Sequence, residues 1–311
     1  MPYAGGRPGF ATHGAAPPVR HEHETMQTTR SPSDLVPHEH ELGLRRDLFA
    51  MRRRRLLTLL AGGGAALAGA CSSGSSDDAG TAGADASSAI GEGDCVVYDG
   101  ETAGPYPADG SNAANGSTAN ALAESGVVRE DIRTSFGGVS TAEAAGAPLA
   151  LTLRVVDAGD GCTPLAGRAV YLWHCDALGR YSVYDLPEEN YLRGVGVTDA
   201  SGEVRFTTVF PGCYAGRYPH VHFELFPSLA AATSQEGSVL ISQLALPAAT
   251  CEAVYADGAT YGESAARFAD TSIARDNVFG DNSEAQVAAQ TAALSGSASA
   301  GWTGGVTVGL G

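Results

Sequence analysis

Leu149-Ala150-Leu151-Thr152-Leu153-Arg154-Val155-Val156-Asp157 decides the fold. Large apolar residues alternate with small or polar ones, the period-two pattern of a strand with one buried face. Similar runs follow at 168–174, 194–198, 203–210, 220–226 and 239–246. Asp199-Ala200-Ser201-Gly202 reads as a turn, Pro247 stops the last strand, and 250–256 reads as a short helix. Between 111 and 146 the chain is rich in Ala, Gly, Ser and Asn, with one better segment at 126–132. Six short strands divided by Gly, Asp and Pro predict an all-β fold, a two-sheet β-sandwich of mostly antiparallel strands with long loops. We place this domain at 93–283, long enough for a single core. Residues 284–311 are Ala-, Ser- and Gly-rich and are expected to form a loosely ordered, low-complexity tail.

Upstream the composition changes. Residues 1–50 are polar and aperiodic, and are expected to lie outside the folded protein. Met51 then opens a second apparent start, with Arg52 to Arg55 followed by an apolar run to Ala70. A basic stretch, an apolar stretch and small residues make a secretory signal, too short and Gly-rich to span a bilayer comfortably. Leu67-Ala68-Gly69-Ala70-Cys71 resembles a bacterial lipoprotein signal, so 51–71 is read as the signal and Cys71 as the lipid attachment site. The Ser-, Gly- and Ala-rich stretch 72–92 is a flexible linker. The expected location is outside the cytoplasm: a cell-surface or periplasmic lipoprotein, or a secreted protein.

Charge supports the division. Residues 1–70 hold nine of the 19 Arg and six of the 35 acidic residues, and the chain has no Lys. The remainder is strongly acidic, which argues against nucleic acid or anionic membrane surfaces as partners. Beyond Cys71 lie Cys95, Cys162, Cys175, Cys213 and Cys251. An exported chain can form disulfides, five leaves one thiol over, and no C-x-x-C pair suggests zinc or redox chemistry.

Of the 8 His only His174, His220 and His222 follow Cys71. Two of them sit in Arg217-Tyr218-Pro219-His220-Val221-His222-Phe223, at i and i+2 of a strand, and therefore on one face. Two strand histidines without a ligand are as common as a metal pair. Their neighbourhood tips the balance: Tyr214 lies in Pro211-Gly212-Cys213-Tyr214, Arg217 is three residues before His220, and Tyr181 follows Gly179-Arg180. Two phenolates and two imidazoles suit ferric iron better than zinc or copper, because Fe(III) favours hard anionic donors. Spacing alone does not single out two of the 11 Tyr.

These residues carry a family resemblance. Trp173-His174-Cys175-Asp176-Ala177, Gly179-Arg180-Tyr181-Ser182, Arg193-Gly194, Thr198-Asp199, Pro211-Gly212-Cys213-Tyr214 and the 217–223 stretch occur in the order seen in intradiol ring-cleavage dioxygenases. Gly104-Pro105-Tyr106 resembles that family's upstream element. The resemblance spans roughly 93–280 and is nearest to the extracytoplasmic branch. It implies a non-haem Fe(III) cofactor held by Tyr181, Tyr214, His220 and His222. Tyr214 would be the ligand that substrate displaces, and Arg217 the cation facing the bound diolate. Gly104, Pro105, Tyr106 and Gln243 are candidate substrate contacts, and His174 is structural. The implied partners are a small aromatic diol and O2, with ring opening to a muconate-type diacid; monomer and homodimer are both open. Cys213 paired with Cys251 would brace the loop bearing Tyr214. The competing class is a non-catalytic exported β-sandwich module that retains the iron site.

Overall fold

The computed structural model describes residues 95–311, and all structural statements below concern these. The expected signal, Cys71 and the linker lie outside the described residues.

The chain enters with a hairpin, β1 (Asp109–Ala114) and β2 (Ser117–Asn120), then forms β3 (Pro148–Asp157), β4 (Thr163–Pro164), β5 (Ala169–Trp173), β6 (Arg193–Val197), β7 (Glu203–Val209), β8 (His220–Phe226) and β9 (Leu240–Ala245). Short helices α1 (Ala248–Tyr255), α2 (Gly258–Tyr261), α3 (Ser264–Ala269) and α4 (Glu284–Gln290) precede β10 (Ala293–Ser297) and β11 (Gly301–Leu310). The architecture is all-β, as expected. In one sheet β3 is flanked by β7 and β11, and β10 extends the β11 side. The other runs β6-β5-β8-β9, antiparallel throughout.

Leu149, Leu151, Leu153 and Val155 of β3 share a buried cluster with Val170 and Leu172 of β5 and Val221, Phe223 and Leu225 of β8. These alternate residues are the inner faces of two packed sheets. The outward faces of β5 and β8 are also buried, under the incoming segment: Tyr106, Ala108, Ala121, Leu122 and Phe136 pack on Ala169, Tyr171, Trp173 and Phe226. Every residue of β8 is therefore buried. Its core face is apolar, and its other face carries His220, His222 and Glu224 into a closed layer.

Two expectations are corrected. The stretch 284–311 is no loose tail: it forms α4, β10 and β11, and β11 runs parallel to β3 over nine register pairs from Trp302–Leu149 to Leu310–Asp157. Its small residues serve close packing. A Cβ at Gly305 would strike the Thr152 carbonyl, while Val306 and Val308 fill the core. Cys213 and Cys251 are both free and buried, as is Cys175; the disulfide joins Cys95 to Cys162. The expected brace for the Tyr214 loop is supplied by hydrogen bonds instead.

Candidate metal centre

His220 and His222 project from one face of β8, between β5 and β9. Tyr181 and Tyr214 come from two loops that close over that face. The first follows β5 and is organised by Asp176, whose Oδ1 accepts from the Leu178 and Arg180 amides at 2.9 Å. Asp185 Oδ2 accepts from the Tyr181 amide at 2.7 Å. The second precedes β8: the Gly212 amide donates to the Asp176 carbonyl and the Cys213 amide to Ser264 Oγ, both at 3.0 Å. The Tyr255 hydroxyl holds the Pro211 carbonyl, also at 3.0 Å.

Four donor atoms converge. His220 Nε2 lies 3.0 Å from His222 Nε2 and 3.1 Å from Tyr214 Oη, and His222 Nε2 lies 3.3 Å from Tyr181 Oη. The four residues predicted from sequence are thus brought together. Among the described residues no group of three or more His, Cys, Asp or Glu is placed to hold a metal; half of this set is phenolic.

The donor set fits a metal cation. His220 Nδ1 donates to the Tyr218 carbonyl at 2.6 Å, so its Nε2 turns a lone pair to the cluster. That lone pair faces His222 Nε2, Tyr214 Oη and Arg217 Nη1, more neighbours than one hydrogen bond can serve. Burial, then Arg217, holds the His220 pKa down to about 3. Burial, followed by His220 itself, holds His222 well below its usual range. Both imidazoles are therefore neutral, the ligating form. Burial pushes the Tyr181 phenol well above its usual value, so without a cation among the four it keeps its proton. Glu224, two residues along the same face, is pushed up to about 10 by burial and adds no charge near neutral pH.

Arg217 lies alongside. Its Nη1 is 3.4 Å from His220 Nε2 and its Nη2 donates to Gln243 Oε1 at 2.6 Å. Its Nε donates to Asp276 Oδ2 at 3.0 Å. Burial opposes the guanidinium charge, but Tyr214 and Asp276 outweigh it and raise the pKa. The other sequence candidates fall around the cluster. Gly104 sits against His222, where an added Cβ would be 3.2 Å from Cε1. Pro105 uses its carbonyl to accept from Asn112 Nδ2 at 2.7 Å. Tyr106 stacks on Tyr181, ring centroids 4.7 Å apart, and so backs a donor residue. Gln243 is fully buried, its Nε2 donating to the Thr102 carbonyl at 2.8 Å while its oxygen receives Arg217. His174 spends both ring nitrogens on the Cys175 carbonyl and Thr208 Oγ1, as a structural residue should.

Sequence reasoning missed three residues here. Asp276 comes from the loop after α3, with no motif to mark it. Trp173 lies in a motif but reads as core. Arg193 is 1 % exposed and ties two loops together, donating to the Tyr106 and Pro107 carbonyls and to Ser182. The Arg193-Gly194 motif, at the head of an otherwise apolar strand, was the available signal, but no role was attached to it. An apolar cavity of about 600 Å3 between α1 and α3 is lined by Tyr218, Tyr255 and Phe268 but by none of the four donors, so the chemistry does not lie there.

Residues 129–226 match the family model described as Dioxygenase, and this segment holds all four donors and Arg217. The protocatechuate 3,4-dioxygenase beta chain of Burkholderia cepacia is 34 % identical over 122 residues, 35 % of this chain and 48 % of that one. The match thus spans about half the length of that relative. Among solved structures, the dioxygenase Tetur07g02040 superposes with a TM-score of 0.50 at 20 % identity, covering 69 % of this chain and 94 % of the other. An intradiol ring-cleavage dioxygenase from Tetranychus urticae gives 0.47 at 23 %, over 59 % and 86 %. The motif order, the family match and the curated relative agree, and the chain resembles the intradiol ring-cleavage dioxygenases.

Proposed function

We propose that this chain is a non-haem Fe(III) intradiol dioxygenase that opens a catechol-type diol with O2. The observation that carries the reading is the convergence of Tyr181 Oη, Tyr214 Oη, His220 Nε2 and His222 Nε2, with Arg217 Nη1 beside them. Ferric iron held by these four would supply Lewis acidity to a chelating diol and make it reactive towards O2.

The protein's own residues divide the remaining work. Tyr181 is wholly buried and backed by Tyr106, so it is a permanent anchor. Tyr214 is half-buried and borders the exposed Ala215 and Gly216, which makes it the donor able to move. Its oxygen would be the one placed to take a proton from an entering diol. Arg217, charged and buried, places Nη1 where negative charge gathers on the substrate oxygens. The overall change is catechol plus O2 to a cis,cis-muconate-type diacid, both oxygen atoms entering the product.

Purified protein reconstituted with iron tests the reading. One ferric ion per chain, a red-brown tyrosinate charge-transfer band, and O2 uptake with ring-opened product from catechol, hydroxyquinol or protocatechuate are expected. A colourless protein that takes up no stoichiometric iron sinks it. Iron binding without turnover on any diol would instead favour the binding-module reading.

A further inference from the structure

We infer that Asp276 is a positioning residue that aims Arg217 at the diol site, an inference that rests on the function proposed above. Asp276 lies beyond the segment that matches the family model. It is 3 % exposed, and its ion pair with Arg217 is closed to solvent, the two side chains 2 % and 0 % exposed.

The geometry is that of a bracket. Asp276 Oδ2 accepts from Arg217 Nε at 3.0 Å and from the Tyr218 amide at 2.7 Å. Oδ1 accepts from the Val278 and Phe279 amides at 2.8 and 3.2 Å, and from Arg217 Nη2 at 3.4 Å. The carboxylate is thus fixed by its own turn before it meets the arginine. A guanidinium has five N–H groups in a rigid fork. Asp276 takes the Nε edge and Gln243 Oε1 takes Nη2, itself steadied by the Gln243 bond to the Thr102 carbonyl. What remains is Nη1, which faces His220 Nε2. A long flexible side chain is reduced to one presented edge, pointing into the donor cluster.

Anchoring both Arg217 Nε and the Tyr218 amide also couples Arg217 to the His220 ring, whose Nδ1 hangs from the Tyr218 carbonyl. A shift of about 1 Å in such a support commonly costs tenfold or more in rate. Asp276 itself bonds to none of the four donors, and His220 stays held by β8, so the role is distinct from ligation and its loss should disturb the diol site far more than the iron.

Asp276→Asn keeps the shape and removes the charge. Expected are wild-type iron content and charge-transfer band, a kcat/KM for the accepted diol lowered about 10- to 100-fold, and weaker diol binding in anaerobic spectral titration. Asp276→Glu should restore part of both. A double-mutant cycle separates positioning from general stability: Asp276→Asn added to Arg217→Gln should cost little more than Arg217→Gln alone. Additive losses, or an Asp276→Asn enzyme with wild-type kcat and diol affinity, overturn the inference. If Asp276→Asn does not fold, Asp276→Glu alone decides, because the longer acid displaces the guanidinium: unchanged kinetics would refute it. One readout does not depend on turnover. In metal-free protein the Arg217 Nε–H resonance should be sharp and slow to exchange, and in Asp276→Asn it should be lost, with amide shifts confined to the neighbourhood of Tyr218, Val278 and Phe279, whose N–H groups the carboxylate receives. A wild-type protein that shows this resonance but neither iron nor turnover refutes the function, not the bracket; a resonance unaffected by Asp276→Asn refutes the bracket itself.

Discussion

The Trp173 indole lies flat on the His222 imidazole, centroids 4.9 Å apart and planes 6° apart. The two face each other across the β5–β8 register. With Gly104 nearby, this stack fixes the tilt of a ring whose Nδ1 has no hydrogen-bond partner. The chain has 2 Trp, and Trp302 lies on β11, outside that stack. Iron binding should therefore quench the Trp173 share of the emission and spare that of Trp302. Trp173→Phe should abolish the quench and lower iron affinity about 10- to 100-fold, as losses of ligand-supporting residues do. Fluorescence titration with iron, wild type against variant, reads both; an unchanged quench in Trp173→Phe would place the metal elsewhere.

Gly104 has φ +72° and approaches His222 closely. An alanine there meets two penalties, a left-handed backbone costing about 1 kcal/mol and a Cβ pressed on the ring. Gly104→Ala should cost about 1–3 kcal/mol of stability and weaken iron binding more than Ala103→Gly next door. Thermal melts paired with iron analysis check it, and equal effects at the two positions would remove Gly104 from the site's support.

Tyr181 and Tyr214 should respond differently to the same change. Tyr181 is enclosed, stacked on Tyr106 and in edge contact with Tyr214 and His222, so Tyr181→Phe leaves a closed site one donor short and should lose iron. Tyr214 is half-buried and, in the function proposed above, takes up a proton, so Tyr214→Phe should keep most of the iron and lose about 100-fold or more in kcat. Metal analysis and O2 uptake on both variants separate the roles. Equal iron loss in the two would mean that Tyr214 anchors as firmly as Tyr181.

The sequence showed most of this site, and the reasons are physical. The period-two runs predicted the strands at 149–157, 203–210 and 220–226 to within a residue or so, because one buried face imposes alternation. The H-x-H pair sits on such a strand, so its shared face followed directly. Asp276 and Trp173 were hidden for opposite reasons. An acid in an irregular loop carries no periodicity, and a Trp in an apolar strand is what a core requires anyway. Residues 284–311 misled because composition was read without its register: Gly301-x-x-Gly304-Gly305-Val306-x-Val308 resembles a linker until Val306 and Val308 alternate against β3. The hairpin of β1 and β2 had a signal that went unused, Asn115-Gly116 at its turn.

The cysteine arrangement makes a chemical prediction. Cys95 and Cys162 close a loop with a sequence separation of 67, and loop-closure entropy gives such a crosslink about 4 kcal/mol. Cys95→Ser with Cys162→Ser should lower the melting temperature by about 8 °C or more at this domain size. Cys175, Cys213 and Cys251 are buried, and burial raises all three thiol pKa values, that of Cys213 to about 12. Alkylation at pH 8 should leave these three untouched in folded protein and label them after unfolding without reductant. A peptide map linking Cys213 to Cys251 would overturn the assignment.

The carboxy-terminal strand supplies the sharpest test of the fold. β11 lies between β10 and β3, so deleting 291–311 strips β3 of a full ladder partner along its length. It also removes Val306 and Val308, each worth about 1.5–3 kcal/mol when buried, together with the partly buried Trp302 and Leu310. Those losses rival the roughly 5–15 kcal/mol that holds a typical domain folded. The truncated chain should be insoluble or lack a cooperative melt. A point change asks the same question more finely. Gly305→Val drives a side chain into the Thr152 carbonyl and should destabilise as severely, whereas Ser299→Gly, in the exposed turn joining β10 to β11, should change the melt by less than about 1 kcal/mol. Soluble yield and far-ultraviolet circular dichroism distinguish the outcomes. A truncated chain that melts like wild type would show that β11 only decorates a sheet complete without it.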